Sequence, residues 1–432
     1  MNRRLGMVCA LVMVSADLQG ARAAASSRTV VSPSMAEAMI EMRRTLARVR
    51  EHGFKADVPV ETMTEAQVRL FLLDKLQRDY PDEKIAREQE TYVHFGFLKP
   101  GEDLKRLFVQ LLVEQAAGFY DPDDKRLFLV AGRPLPGMAL VHELAHVLQD
   151  QTFGVMGILD RARDNDDALL AAQSMIEGEA TYLSDVYMSM HPGGEDPMGE
   201  DADVATVPVS GARNDVETPE PIPEILKANL MFPYTQGMTW AGAVVRKGGE
   251  KTMDSMFRHP PESTEQILHP EKSQPPRDLP SEIKPEVLSR LAPILAAGGY
   301  REVKVNTLGE FNILQLFGGR TDPGAADAAA GWDGDSFEIV ERPAGGTAMI
   351  WISVWDSNDD AAAFRARAAS WLASRHPGGG GWITGPDGPA GPAGRIVWML
   401  EGFEPAPAAT IAASLAGALA QGADGPRGVR FR

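Results

Sequence analysis

The chain has 432 residues, 44% of them apolar, which is enough for two or three domains with buried cores. Its net charge is −17, with 60 acidic residues against 43 basic ones. That balance argues against nucleic acid or an anionic membrane surface as partner, and otherwise describes a well-solvated exterior.

Residues 1–23 read as a secretory signal peptide. Arg3 and Arg4 form a short basic region, Leu5 to Ala16 an apolar stretch too short to span a bilayer, and Ala21-Arg22-Ala23 a small-residue cleavage site. The leader carries Arg3, Arg4, Arg22 and Asp17, so the chain beyond it stands near −19. A secreted or periplasmic location is expected, and no later segment resembles a membrane span. The only cysteine, Cys9, lies in the leader. A metal site beyond it must therefore use histidine and carboxylate ligands.

Helical periodicity dominates next. The spacing predicts helices over Met35 to Arg50, from the cap Thr64 through Leu76, and over Asp103 to Glu114. The period then changes: Ala117-Tyr120, the turn Asp121-Asp124 and Arg126-Val130 read as a hairpin. A helix ending near Asp150 follows, then a long one from Asp166 to Met190. The stretch Pro192 to Pro223, rich in Pro, Gly, Asp and Glu, reads as an acidic loop. Helical segments resume from Ile225 to about Ile267. Four prolines in Pro270 to Pro280 mark a domain boundary. Beyond Ser289, strand-like runs at Glu310-Leu316, Ser336-Val340, Thr347-Val354 and Arg395-Leu400 alternate with helices at Asp359-Ala373 and Ala408-Leu419. The expected fold class is α+β: a mainly helical domain with a small sheet over 24–280, then a small α+β domain over 290–432. Trp332, Trp351, Trp355 and Trp371 of the latter are read as core in preference to a recognition surface.

The chemistry is concentrated in His142-Glu143-Leu144-Ala145-His146. Positions i and i+4 share one face of a helix, so both imidazoles can meet one ion. Glu143 follows the first His, where its carboxylate can reach a water beside that ion. Two His leave a zinc site one protein ligand short. The residues after His146 lack the Gly and His of the metzincin spacing, so the third ligand comes from another element. Glu177 and Glu179 on the next helix are the candidates, and they stand about 200° apart, so both cannot face the ion. Asp150, four residues after His146, could orient a ligand ring or could be an exposed acid.

These residues resemble the gluzincin metallopeptidases, the group that includes thermolysin. There a second helix supplies a Glu followed three residues later by a small residue, as in Glu177-Gly178-Glu179-Ala180. That resemblance favours Glu177 as ligand, because Glu179 would place Tyr182 at the close-packed position; Glu179 is then a buried carboxylate supporting a ligand imidazole. It also implies an edge strand that adds extended peptide to the sheet, either Ala117-Tyr120 or Arg126-Val130. An oxyanion-stabilising Tyr or His is implied too, with Tyr234 and His269 as candidates. Phe232-Pro233-Tyr234-Thr235-Gln236-Gly237 and Ser263-Thr264-Glu265-Gln266 resemble a group of secreted bacterial proteins that share the HExxH element. The remaining histidines, His52, His94, His191, His259 and His376, read as surface.

The expectation is an exported Zn2+ metallopeptidase acting on peptide or protein substrate. His142, His146 and Glu177 hold the metal, and Glu143 is the general base that passes a proton from water to the leaving amine. The alternative is a secreted binding or assembly protein that keeps a peptidase-like fold with structural zinc or none. Nothing in the sequence selects the substrate or separates endo- from exopeptidase action.

Overall fold

The protein is described by a computed structural model over residues 33–115, 118–133, 135–191, 221–376, 381–384, 392–422, 425–426 and 428–432. The leader, Ala117 and most of the acidic stretch after Pro192 lie outside the described residues. The fold is mixed α+β with helical bulk. Among the described residues no helix is long and apolar enough to cross a membrane.

Two compact units divide the chain. The first takes the chain up to Ile85, Asp103–Asp164 and Leu169–Pro261; the second takes Ala86–Glu102, Asn165–Ala168 and Glu262–Arg432. The division therefore falls ahead of the proline-rich 270–280 segment. Two short segments from the earlier chain also join the second unit, which sequence periodicity, being local, does not register.

In the first unit, α1 (Pro33–Arg50) precedes strand β1 (Val60–Met63) and α2 (Glu65–Asp79). Thr64 starts α2 with a reciprocal capping box: its hydroxyl accepts from Gln67 N, and the Gln67 side chain accepts from Thr64 N. After α3 (Asp82–Phe95), which crosses into the second unit, and α4 (Leu104–Gln115), the hairpin β2 (Gly118–Asp121) and β3 (Arg126–Val130) forms. β1 pairs parallel with β3, so the sheet order is β1-β3-β2. β3 is central, which removes Arg126-Val130 as an edge; β2 and β1 are the edges. The unit continues with α5 (Gly137–Phe153), α6 (Val155–Ala162), α7 (Asp166–Met190) and α8 (Glu224–Arg258). Gly154, at φ +68°, ends α5 in the left-handed conformation that favours glycine. Leu140, Val141, Leu144, Ala145, Val147 and Leu148 of α5 pack with Ala180 and Leu183 of α7, Met42 and Leu46 of α1, and Tyr120, Leu127 and Leu129 of the hairpin.

The second unit begins with α9 (Thr264–Leu268), the two-residue strand β4 (Glu282–Ile283), α10 (Pro285–Ser289) and α11 (Ala292–Ala297). Then come β5 (Arg301–Asn306), α12 (Gly309–Leu316), α13 (Pro323–Ala329), β6 (Trp332–Glu341), β7 (Thr347–Trp355), α14 (Asn358–Arg375), β8 (Gly381–Thr384), β9 (Ile396–Glu401) and α15 (Pro405–Leu419). The main sheet has five strands in the order β5-β6-β7-β9-β8, every pairing antiparallel. Both faces are buried. Along β7, Ala348, Ile350, Ile352 and Val354 face one cluster with α10, α11 and α15; Met349, Trp351 and Trp355 face the other with α12, α13, α14 and Phe95. Glu310-Leu316, expected as strand, is helix: Phe311 and Leu314 lie three apart and both are buried, a helical spacing that a short apolar run conceals. Trp332, Trp351 and Trp355 are core, as read from sequence, and Trp371 is partly buried against them.

Candidate metal centre

α5 places His142 and His146 one turn apart, and α7 brings Glu177 to them. His142 Nε2 lies 3.0 Å from His146 Nε2; Glu177 Oε2 lies 3.1 Å from the first and 3.2 Å from the second. These form a group of His and acidic side chains that could hold one ion. A tetrahedral zinc with bonds of about 2.0–2.2 Å spaces its ligand atoms about 3.3–3.6 Å apart. The observed triangle is only slightly tighter, and two imidazole nitrogens with one carboxylate oxygen are donors suited to zinc. The residues fit the group.

The charges fit as well. Burial opposes a charged imidazole at His146, yet the Glu177 carboxylate and its hydrogen bond raise the pKa to about 9. Burial likewise opposes ionised Glu177, but the charge of His146 and the bonds of His142 and His146 hold it well below the usual carboxylate range. The site thus keeps an anion facing two ring nitrogens, a preference that a cation can meet.

Glu143 lies half-buried beside them. Its Oε2 accepts a 2.7 Å hydrogen bond from the backbone N–H of Tyr120 on edge strand β2. Burial raises its pKa; Glu177 adds to the rise, while the two histidines and the Tyr120 bond oppose it. Tyr120 is itself pinned, since its hydroxyl donates to Asp150 Oδ2 at 2.8 Å and Lys125 Nζ donates to the same oxygen at 2.6 Å. Asp150 therefore serves the strand and not a ligand ring.

The ring partner is Gln149, which sequence reasoning passed over. His146 Nδ1 lies 2.8 Å from Gln149 Oε1. Gln149 Nε2 donates to the Ile176 carbonyl at 2.9 Å and to Glu179 Oε2 at 2.8 Å. Glu179, fully buried, accepts from Arg50 Nε at 2.5 Å, and Arg50 also donates to Asp254 at 2.6 Å. The spacing His146-x-x-Gln149 was visible in sequence, but its meaning depends on α7 and α1.

α7 and α8 approach each other through glycine. A β-carbon at Gly178 would overlap the Gly237 backbone, and one at Gly237 would overlap the Ser174 carbonyl. Sequence reasoning placed the close approach at Ala180; it occurs instead at Gly178, and Ala180 packs into the core. The contact sits one residue from Glu177 and three from Tyr234. The Tyr234 ring lies 5.9 Å from the His142 ring.

His269 belongs to the second unit, with Nε2 3.0 Å from Glu310 Oε1. So does the Ser-Thr-Glu-Gln block, whose side chains are spent on the fold. Ser263 caps α9, Thr264 donates to Asp167 at 2.5 Å, Glu265 accepts from Lys272 at 2.6 Å, and Gln266 accepts from Glu262 N at 2.8 Å. Glu265, Asp278 and Asp356 also form an acidic group, but Lys272 Nζ lies within 2.6, 3.1 and 2.7 Å of them and supplies its counter-charge. His94, expected at the surface, is buried, with Nδ1 2.8 Å from Thr347 and Nε2 3.2 Å from Glu401.

Residues 296–402 match a family model described as "Domain of unknown function (DUF8575)". That segment runs from the end of α11 to just past β9, within the second unit. No curated protein and no solved structure matches the chain.

Proposed function

We propose that the chain is an exported zinc metallopeptidase that hydrolyses peptide bonds with Glu143 as general base. The observation that carries this reading is the juxtaposition of the His142, His146 and Glu177 donor triangle with a half-buried Glu143 anchored by the neighbouring edge strand. Zinc held by the triangle supplies a Lewis acid that polarises a carbonyl and eases deprotonation of water. Glu143 accepts the proton of the attacking water and returns it to the leaving amine; its raised pKa suits both halves of that exchange. The Tyr120 N–H holds the carboxylate in place between these steps. Tyr234, whose ring lies tilted against that of His142, is the group read as donor to the oxyanion, since His269 is engaged by Glu310. β2, as an edge strand, offers backbone groups to which an extended peptide can add.

Metal analysis of the purified protein should find about one zinc per chain, lost on His142→Ala or His146→Ala. Glu143→Gln should keep the metal while turnover of a casein or peptide-library substrate falls at least about a hundredfold. A wild type that cleaves no library peptide would overturn the peptidase reading in favour of a binding or assembly protein.

A further inference from the structure

An amide side chain has two orientations of nearly the same shape, and its hydrogen-bond partners decide between them. At Gln149 they decide fully. The Ile176 carbonyl and the Glu179 carboxylate, at 2.9 and 2.8 Å, are both acceptors, so the group facing them must be the NH2. Reversing the amide would set an oxygen against two oxygens inside the protein. The Glu179 carboxylate is in turn held in place by Arg50 from the end of α1, an ion pair with both side chains almost wholly buried. Asp254 and Glu250, at 2.6 and 3.3 Å, hold the guanidinium from its other side, and it lies over the rings of Phe153 and Phe257. Gln149 Oε1 is therefore forced towards His146 Nδ1, 2.8 Å away.

We infer that Arg50, Glu179 and Gln149 act as a three-residue strut that sets the tautomer of His146. An oxygen facing Nδ1 demands that Nδ1 carry the proton. In the neutral ring this leaves Nε2 as a bare lone pair, aimed at His142 Nε2 and Glu177 Oε2. These are positioning residues: they touch neither substrate nor metal, and they act through His146. The assignment deepens the proposed zinc site and rests on it. It also gives a role to α1, which supplies no ligand and ends more than eighty residues before the HExxH helix.

Glu179→Gln is the sharpest test because it keeps shape and removes the second acceptor. Arg50 requires an oxygen at residue 179, so the new NH2 faces Gln149 and the two donors conflict. Zinc affinity, measured by chelator competition, should fall about 10–100-fold, as for loss of a residue that orients a ligand. The 15N ring shifts of His146, assigned by their loss in His146→Ala, should report Nδ1–H in zinc-free wild type at alkaline pH and a mixed or inverted tautomer in the variant. Gln149→Met leaves the Arg50–Glu179 pair intact and should give the same two changes, which covers the case of a poorly folding Glu179→Gln. Wild-type zinc affinity and an unchanged tautomer in a folded variant would overturn the inference while leaving the zinc site standing. A wild type that takes up no zinc would remove the metallopeptidase reading, and the ring shifts would still judge the strut by themselves.

Discussion

Glu401 ends β9 with its carboxylate buried among His94, Arg375 and His376, at 3.2, 2.7 and 2.8 Å. Burial alone would raise its pKa; the hydrogen bond and charge of His94, with those of Arg375, outweigh burial and bring it from 4.5 to about 2. A group depressed in the folded state contributes stability that is present above its unfolded pKa and lost as pH falls through the folded one. The second unit should therefore lose on the order of 3 kcal/mol between about pH 4.5 and 2. Glu401→Gln should remove most of that dependence while lowering stability at neutral pH. Urea unfolding followed by tryptophan fluorescence across this range checks it, and an unchanged acid slope in the variant would assign the effect to other carboxylates. His94 shows why sequence alone missed the cluster. Its chain neighbours Tyr92 and Phe95 give no hint of a carboxylate 307 positions later. The pair His142 and His146 was legible because both lie on one helix, whereas Gln149 acquires its meaning only from Glu179 and Arg50 on two other elements.

At the scale of elements, the seam between α7 and α8 decides where Glu177 and Tyr234 stand. An alanine in a helix interior ordinarily gains about 1 kcal/mol over glycine. At Gly178 or Gly237 that gain is opposed by overlap with the facing backbone, which cannot rotate away as a side-chain tip can. Overpacking of this kind costs about 1–3 kcal/mol, so the clash should win. Gly178→Ala and Gly237→Ala should each lower the melting temperature and weaken zinc binding. Gly417→Ala, in the open on α15, should be neutral or stabilising by up to about 1 kcal/mol. If all three behave alike in calorimetry, the seam is not what spaces the helices. Long helices with caps or strong apolar spacing, α2, α5 and α7, were legible from the sequence. α3 was not, because its buried residues are scattered among charges. Nor was β1, a four-residue strand whose partner β3 lies more than sixty residues away.

For the whole molecule, the proline-rich boundary predicted that the chain could be cut near residue 289 and leave an independent catalytic unit. The contacts of residues 86–102 and 165–168 predict a different outcome. Phe95 stacks edge-on against Phe337 and Trp351, and Lys304 bridges Glu88 and Asp166. A chain ending at Pro261 or Ser289 would strip those residues of their partners and expose Phe95. Such truncations should express largely as aggregate, or melt well below the full chain. A soluble, cooperatively melting fragment of 33–289 would show that these segments are dispensable. The local periodicity behind the boundary reading had no access to this, since α3 looks like an ordinary surface helix until strands more than two hundred residues later are present.

The same arrangement sets a clock on synthesis. A ribosome adds about 5–20 residues per second. His94 must therefore wait about 15–60 s for Glu401 to emerge, and Phe95 almost as long for Phe337 and Trp351. The hairpin and α5, whose partners are nearer in the chain, can assemble within that interval. Until β6 and β7 have emerged, Phe95 is apolar surface that a factor shielding the nascent chain would cover.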